Sequence, residues 1–365
     1  MKGLSHDGLR QGIGLIGPMG LICPASYWSN RSHRSYSLQP PSVLTPEKTL
    51  ALIQVMLHLL TLMPVLIVGS IALDDIKTQT EKRLDLLGGS ASYASVAASF
   101  FDQVNLVGIV GSDFPKPHLD LFRQRQIDLT GLQIVDGKTF RWGGEYEADM
   151  NKRQTLYTEL NVFETFTPTL PPAYRASSII MLGNIGPNLQ NHVLDQVERR
   201  EFVVADTMDL WITTTRPELL KLLERIDLLV LNDGEARQLT EDDNLVRAAR
   251  KILDLGPKYV AVKKGEHGCL LLSRDQFFSC GAYPIEKLFD PTGAGDTFAG
   301  GLAGYLASLR RPVIEFADLK RAVVHGSMLA SFCVESFSLD RLKTLTPTEL
   351  DERYRFFRAM SHFDN

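Results

Sequence analysis

The sequence predicts an α/β fold: a doubly wound, mostly parallel sheet flanked by helices, with a small β-sheet lid. Three observations carry that expectation. Short runs of Val, Ile and Leu recur without polar alternation, as at residues 65–68, 104–110 and 228–231, which marks strands buried on both faces of a parallel sheet. Helical patterns stand between these runs, so the chain alternates strand and helix. One stretch, residues 131–166, breaks the rhythm with alternating residues and turn signals at Asp136-Gly137 and Gly143-Gly144, the signature of hairpins.

In chain order, strands are expected at 65–68, 104–110, 178–182, 202–205, 228–231, 259–262 and 270–272. Helices are expected between them at 91–101, 187–199, 216–224 and 244–255. Units of this length imply right-handed crossovers. Residues of about 73–87 and 131–166 are expected to form a lid projecting from the main sheet, since long insertions are commonly functional.

Residues 1–62 read differently. They hold low-complexity stretches such as 26–41, rich in Ser, Arg, Tyr and Pro, with no sustained period. Arg10 and the apolar run 12–23 outline a signal peptide, but Gly12, Gly14, Gly17 and Pro18 weaken it and no small-x-small site follows. The apolar stretch 50–62 is interrupted by Gln54 and His58 and is shorter than the ~20 residues a bilayer span needs. Gly12, Gly14 and Gly17 spell GxGxxG, yet no strand precedes them and Pro18 follows at once, so the match is a coincidence. The expected organisation is an extension at 1–62, disordered or upstream of a true start at Met63 or Met56, and a domain at 63–360.

An apolar content of 44% with 22% charged residues fits a globular protein with a substantial core. The formal net charge of -4 gives no basic footprint, so neither nucleic acid nor a membrane is an expected partner. The four cysteines lie at no metal-ligand spacing and form no disulfide framework. They read as ordinary thiols of a reducing cytoplasm. The eight histidines form no HExxH pair.

The chemistry concentrates in residues 290–301, Asp-Pro-Thr-Gly-Ala-Gly-Asp-Thr-Phe-Ala-Gly-Gly. This is a glycine-rich turn leading into a helix whose buried stripe is Phe298, Leu302, Tyr305, Leu306 and Leu309. Gly293, Ala294 and Gly295 carry almost no side chain, so their amides can close on a ligand. Unpaired N–H groups in a helix's first turn, with its dipole, suit phosphate oxygens. Asp296 stands in that same turn, an odd neighbour for phosphate unless it accepts a proton there.

The segment resembles the second signature of the ribokinase and adenosine kinase superfamily, the PfkB carbohydrate kinases, at Asp290 and from Thr292 to Thr297. The resemblance implies an anion hole for a transferring γ-phosphoryl group at Gly293, Ala294 and Gly295, and a catalytic base at Asp296. Further segments follow in the family's order. Asp74, after an early strand, resembles its substrate aspartate. Gly88, Gly89 and Ser90 resemble the diglycine of the first signature, which implies that they bind the substrate. Asn232 and Glu235 resemble its NxxE motif, with Glu235 reaching Mg2+ through water. Lys264, Gly265 and Gly268 resemble the turn beside the nucleotide. A Walker A loop is absent, in keeping with the family.

The resemblance covers about residues 63–350. It implies an ATP-dependent kinase of a hydroxymethyl group on a sugar or nucleoside, with Mg2+, with a monovalent cation such as K+ beside Asp290 and Thr292, and with a homodimer formed through the lid. Two departures bear on the substrate. Tyr93 stands where the family places an asparagine that contacts ribose-like hydroxyls, and Ala72 stands where an asparagine is common. Tyr93 is accordingly expected among the substrate contacts, stacking on a ring or narrowing the pocket, with packing of the helix as the alternative. Ser90 is a feature of nucleoside-type members. A kinase of another small molecule, such as a sugar phosphate or a hydroxymethyl pyrimidine, stays open, as does a non-catalytic ligand-binding relative. A pure binder would gain nothing from an acid beside phosphate.

Overall fold

Strand β1, Val65–Val68, is VLIV, and all of it is buried. Val65 and Ile67 join one apolar cluster, while Leu66 and Val68 join another. Successive side chains of a strand point to opposite faces, so both faces of this strand are covered. The protein is described from a computed structural model, which covers residues 64–362 apart from 80, 148, 149 and 151. The expectations for residues 1–62 lie outside the described residues.

After β1 the chain forms β2 (Ala72–Lys77), β3 (Lys82–Gly88), α1 (Ser90–Ala98), β4 (Val104–Gly111), α2 (Lys116–Gln124), β5 (Ile127–Val135), β6 (Phe140–Tyr146) and β7 (Arg153–Glu159). Then come β8 (Ile179–Leu182), α3 (Pro187–Gln196), β9 (Phe202–Asp206), α4 (Asp209–Thr214), α5 (Arg216–Leu223), β10 (Leu228–Asn232), α6 (Asp233–Thr240), α7 (Leu245–Asp254) and β11 (Tyr259–Lys263). The chain ends with β12 (Cys269–Leu272), β13 (Phe277–Cys280), α8 (Ala294–Ser308), α9 (Phe316–Cys333), α10 (Asp340–Thr344) and α11 (Pro347–Met360). No helix among the described residues is long and apolar enough to cross a membrane.

The main sheet runs β13-β12-β11-β10-β9-β8-β1-β4-β5. From β11 to β5 every neighbouring pair is parallel; β12 and β13 extend it antiparallel. Residues of α1, α2 and α8–α11 build the cluster on one face, and residues of α3–α7 the cluster on the other. The doubly wound expectation therefore holds. Strand order reverses between β1 and β8, and such a switch point, at the carboxyl ends of the strands, is where open α/β sheets bind ligands.

The small second sheet expected as a lid is present, with corrected borders. It runs β3-β2-β6-β7, so it draws on residues 72–88 and 140–159. Residues 131–135 belong instead to β5, which pairs parallel with β4 at the edge of the main sheet. Their exposure reflects an edge strand: Leu132 packs on the core, while Ile134, two residues further along the same face, is 56% exposed. The turn at Asn161–Thr165 packs back through Phe163, which stacks on Phe140 at 5.3 Å.

Candidate active site

Two helix N-termini open at one end of the sheet because small residues let α1 and α8 touch. A Cβ at Gly300 would overlap the backbone of Ala94, and one at Gly304 would lie 2.6 Å from Ala98 Cα. Nearer the start, a Cβ at Gly293 would overlap the ring of Tyr93. The contacts advance along both helices in the same direction, so the helices are parallel and their positive ends share one place.

The loop ahead of α8 is fixed by Asp290, which is fully buried. Its Oδ1 accepts the Thr292 N–H at 2.9 Å and its Oδ2 accepts the Ser338 N–H at 3.1 Å. Burial pushes its carboxyl above the usual range, and the bonds to Thr292 and Ser338 partly offset this. From the lid, the buried Tyr146 places its hydroxyl 2.9 Å from Thr292 Oγ1. Gly293 caps α8 with φ 73°. The Ala294 N–H turns back to Pro291 O at 3.2 Å. The Ala294 amide is therefore taken, a correction to the expectation for it, whereas no main-chain acceptor among the described residues holds the Gly293 or Gly295 N–H.

Asp296 is half-buried in that first turn. Burial, then Asp206, pushes its carboxyl up to about 7, against the downward pull of Lys263 and Arg153. Asp74, on β2, is 4% exposed. Its carboxyl is raised well above the usual range by burial, then by Asp290 and Asp296, while Arg153 of β7 opposes the rise. Gly88 makes room for it, since a Cβ there would overlap the Asp74 carboxylate. Gly89 follows with φ 88°.

Two expected substrate contacts lie elsewhere. Ser90 is a structural joint: its Oγ accepts the Ser70 N–H at 3.2 Å, its N–H donates to Ser70 Oγ at 3.1 Å, and a Cβ at Gly69 or Gly183 would crowd it. It pins α1 to the ends of β1 and β8. Tyr93 is 1% exposed, supports Gly293 from beneath, and leaves its hydroxyl buried without a hydrogen-bond partner. The core alternative for Tyr93 is the one the structure adopts, because a ring pressed against the loop cannot also face the cleft.

Across the cleft, Asn232 and Glu235 form a capping box on α6. Asn232 Oδ1 accepts the Glu235 N–H at 2.8 Å, and Glu235 Oε2 accepts the Asn232 N–H at 2.7 Å. Burial pushes Glu235 up to about 7, with Lys263 pulling down and Asp206 adding to the rise. Lys264 supplies main-chain bonds to a turn, its N–H donating to Gly268 O at 2.7 Å, and that turn needs positive φ at Gly265 and Gly268. Its neighbour Lys263 is the lysine that enters the acid cluster. Lys263 Nζ lies 3.0 Å from Asp206 Oδ2 and 2.9 Å from where a Cβ on Gly295 would sit.

The sequence reading missed Lys263, Asp206, Arg153 and Tyr146. For the first two a signal was present. Asp206 and Lys263 are the only charged residues of their strands, FVVAD and YVAVK, and both stand at the carboxyl end, where such sheets place function.

The profile of the pfkB family carbohydrate kinase matches residues 65–344. A protein of Thermococcus kodakarensis named cytidine kinase is 29% identical over 265 residues, 71% of this chain and 93% of its own length. The crystal structure of a Methanocaldococcus jannaschii nucleoside kinase, described as an archaeal member of the ribokinase family, superposes with a TM-score of 0.65 at 20% identity, over 81% of this chain and 99% of that one. A putative ribokinase II from E. coli, in complex with ATP and Mg2+, superposes with a TM-score of 0.66 at 17% identity, over 81% and 100%. This chain belongs to the pfkB family of carbohydrate kinases, and is a phosphotransferase with an alcohol group as acceptor.

Proposed function

We propose that this kinase transfers the γ-phosphoryl group of ATP to the hydroxymethyl group of a nucleoside or free sugar, with Asp296 as the base. One observation carries the reading. An acceptor-side carboxylate, Asp74, and a helix N-terminus open to anions meet at the joined ends of α1 and α8, with Asp296 interacting with Asp74 on one side and with Lys263 on the other. The cytidine kinase aligned over nearly its whole length supports a nucleoside.

Asp74 and the backbone of Gly88 and Gly89 bind the acceptor's ring hydroxyls and direct its CH2OH toward Asp296. Asp296 takes the hydroxyl proton while the Gly293 and Gly295 amides hold the phosphoryl oxygens. The lid, latched by Tyr146 to Thr292, excludes water that would compete as acceptor. Glu235 offers a carboxylate for Mg2+ beside water and phosphate. No three His, Cys, Asp or Glu among the described residues form a metal cage, so the ion would rest chiefly on the other two. When bound, it neutralises charge on the phosphate oxygens. Asp290, buried with N–H and hydroxyl partners rather than a cationic one, fits a monovalent cation such as K+ with Thr292. The enzyme works in the cytoplasm, where Mg-ATP is at hand. It dimerises through the lid, whose edge strands β3 and β7 leave Leu84 55% and Leu156 50% exposed.

The test couples ADP release to a panel of nucleosides, pentoses, sugar phosphates and hydroxymethyl pyrimidines. Release above the ATP-only blank is expected with a nucleoside or pentose, and sedimentation of the same preparation should show a dimer. Stimulation by a sugar phosphate or pyrimidine alone would replace this acceptor class.

A further inference from the structure

We propose that Lys263 is a further catalytic residue, its ammonium held by Asp206 against the open first turn of α8 to neutralise charge on the phosphoryl group in transit, with Asp206 as its positioning residue. The proposal rests on the kinase reading above and extends it.

The placement begins in the sheet. Lys263 ends β11 and Asp206 ends β9, with β10 between them. Strands two apart are separated by roughly 9–10 Å, so both side chains lean across the end of β10 to meet at 3.0 Å. The pair is largely enclosed, at 18% side-chain exposure for Lys263 and 5% for Asp206. Asp206 is fixed at both oxygens: Oδ1 accepts the Thr207 N–H at 2.8 Å, and Oδ2 takes the ammonium. A carboxylate so anchored sets where the amine stands.

That position is the anion hole. With Nζ 2.9 Å from the point a Cβ on Gly295 would occupy, the amine fills the space that Gly295 leaves empty, directly beside the amide expected to hold phosphate.

The charge balance requires such a group. Lys263 faces Asp206 on β9, Glu235 on α6 and Asp296 on α8, and Asp209 on α4 faces Glu235 in turn. Arg153 of the lid strand β7 is the other cation acting on Asp296. Without Lys263 the fixed wall of the cleft would present carboxylates to a triphosphate, in a chain whose formal net charge is already -4. A buried ion pair kept only for stability contributes little compared with an apolar pair. One whose amine abuts a phosphate-binding turn has a use. In the reaction the acceptor O–P bond forms and the bond from the γ-phosphorus to the bridging oxygen breaks. Its electron pair leaves with ADP, the hydroxyl proton passes to Asp296, and Lys263 keeps its protons throughout.

The test substitutes Lys263→Met in the full chain. Loss of one preorganised donor costs about 10²–10³-fold in kcat, and that loss is expected with acceptor KM held within about threefold. Calorimetry supplies a readout independent of turnover. The preference for a non-hydrolysable ATP analogue over ADP should fall about tenfold, because the contact is to the γ-phosphoryl group. The acid limb of kcat/KM should move to higher pH, because the ammonium no longer pulls the Asp296 carboxyl down while Asp206 and Asp74 still face it and Arg153 is the one cation left to oppose them. Lys263→Arg should recover part of the loss. Removing one partner of a buried pair can unfold a protein, so Lys263→Met combined with Asp206→Asn is the companion, and the same kinetic loss is expected of it. If the double variant turns over within about threefold of wild type with an unchanged analogue-to-ADP preference, the assignment is overturned. A wild-type chain that phosphorylates no acceptor would defeat the kinase reading instead, and the nucleotide preference would still decide Lys263.

Discussion

Asp296→Asn is expected to lower kcat by about 10²–10⁴, the usual worth of a general base, because the amide keeps the shape of the carboxylate and cannot take the proton. Nucleotide affinity should stay within a few-fold or tighten, since a negative charge beside phosphate is removed. Burial and Asp206 place the Asp296 carboxyl at about 7, and a base works only when ionised. Wild-type kcat/KM should therefore climb as pH rises through about 7 and level off above it. The variant should lack that limb. Asp290→Asn should harm the chemical step less, because Asp290 holds the loop through the Thr292 and Ser338 N–H groups. A kcat for Asp296→Asn within about tenfold of wild type would remove the base from this mechanism.

Gly293→Ala is expected to cost about 10²-fold in kcat, the scale on which a roughly 1 Å misplacement of reacting groups is felt. The residue caps α8 at φ 73°, and its missing side chain is what lets the Tyr93 ring lie beneath it. A methyl group there meets a ring that is 1% exposed and has nowhere to go. The left-handed backbone adds about 1–2 kcal/mol of strain for an L-residue. The melting temperature should fall together with kcat. Tyr93→Phe is the contrast. It keeps the ring and removes a hydroxyl that is buried without a partner, so the melting temperature should hold or rise. A Gly293→Ala enzyme with wild-type kcat would show that the loop tolerates displacement. A Tyr93→Phe enzyme that melts lower would show that the hydroxyl has a partner.

Much of this fold was legible because its strands obey a simple rule. VLIV at β1 and LLVLN at β10 are apolar on both faces, and that pattern has few explanations besides a sheet covered twice. β5 was misread because it breaks the rule: as an edge strand it alternates, and alternation alone cannot separate a lid hairpin from a parallel edge. The loop 290–296 was legible because chemistry fixes its residue types one after another. Lys263 was not, because its partners Asp206 and Asp296 stand 57 and 33 residues away in sequence. Only the strand order and the approach to Gly295 bring them together. Ser90 and Tyr93 were assigned to the substrate by resemblance, whereas hydrogen bonds to Ser70 and a ring against Gly293 commit them to the scaffold.

The glycine and alanine seam between α1 and α8 has a consequence for how the two reactants are aimed. The diglycine proposed to grip the acceptor begins one helix, and the turn proposed to grip the phosphoryl group begins the other. Between the two helices lies backbone against backbone, at Gly300 on Ala94 and Gly304 on Ala98. No long side chain sits in that joint to bend or change rotamer, and close-packed interiors have low compressibility. The line of attack is therefore a property of the chassis, as the distance between two rails is a property of the sleeper beneath them. A faulty lid would let water in and loosen the acceptor, while whatever acceptor did bind would still be aimed along the same line.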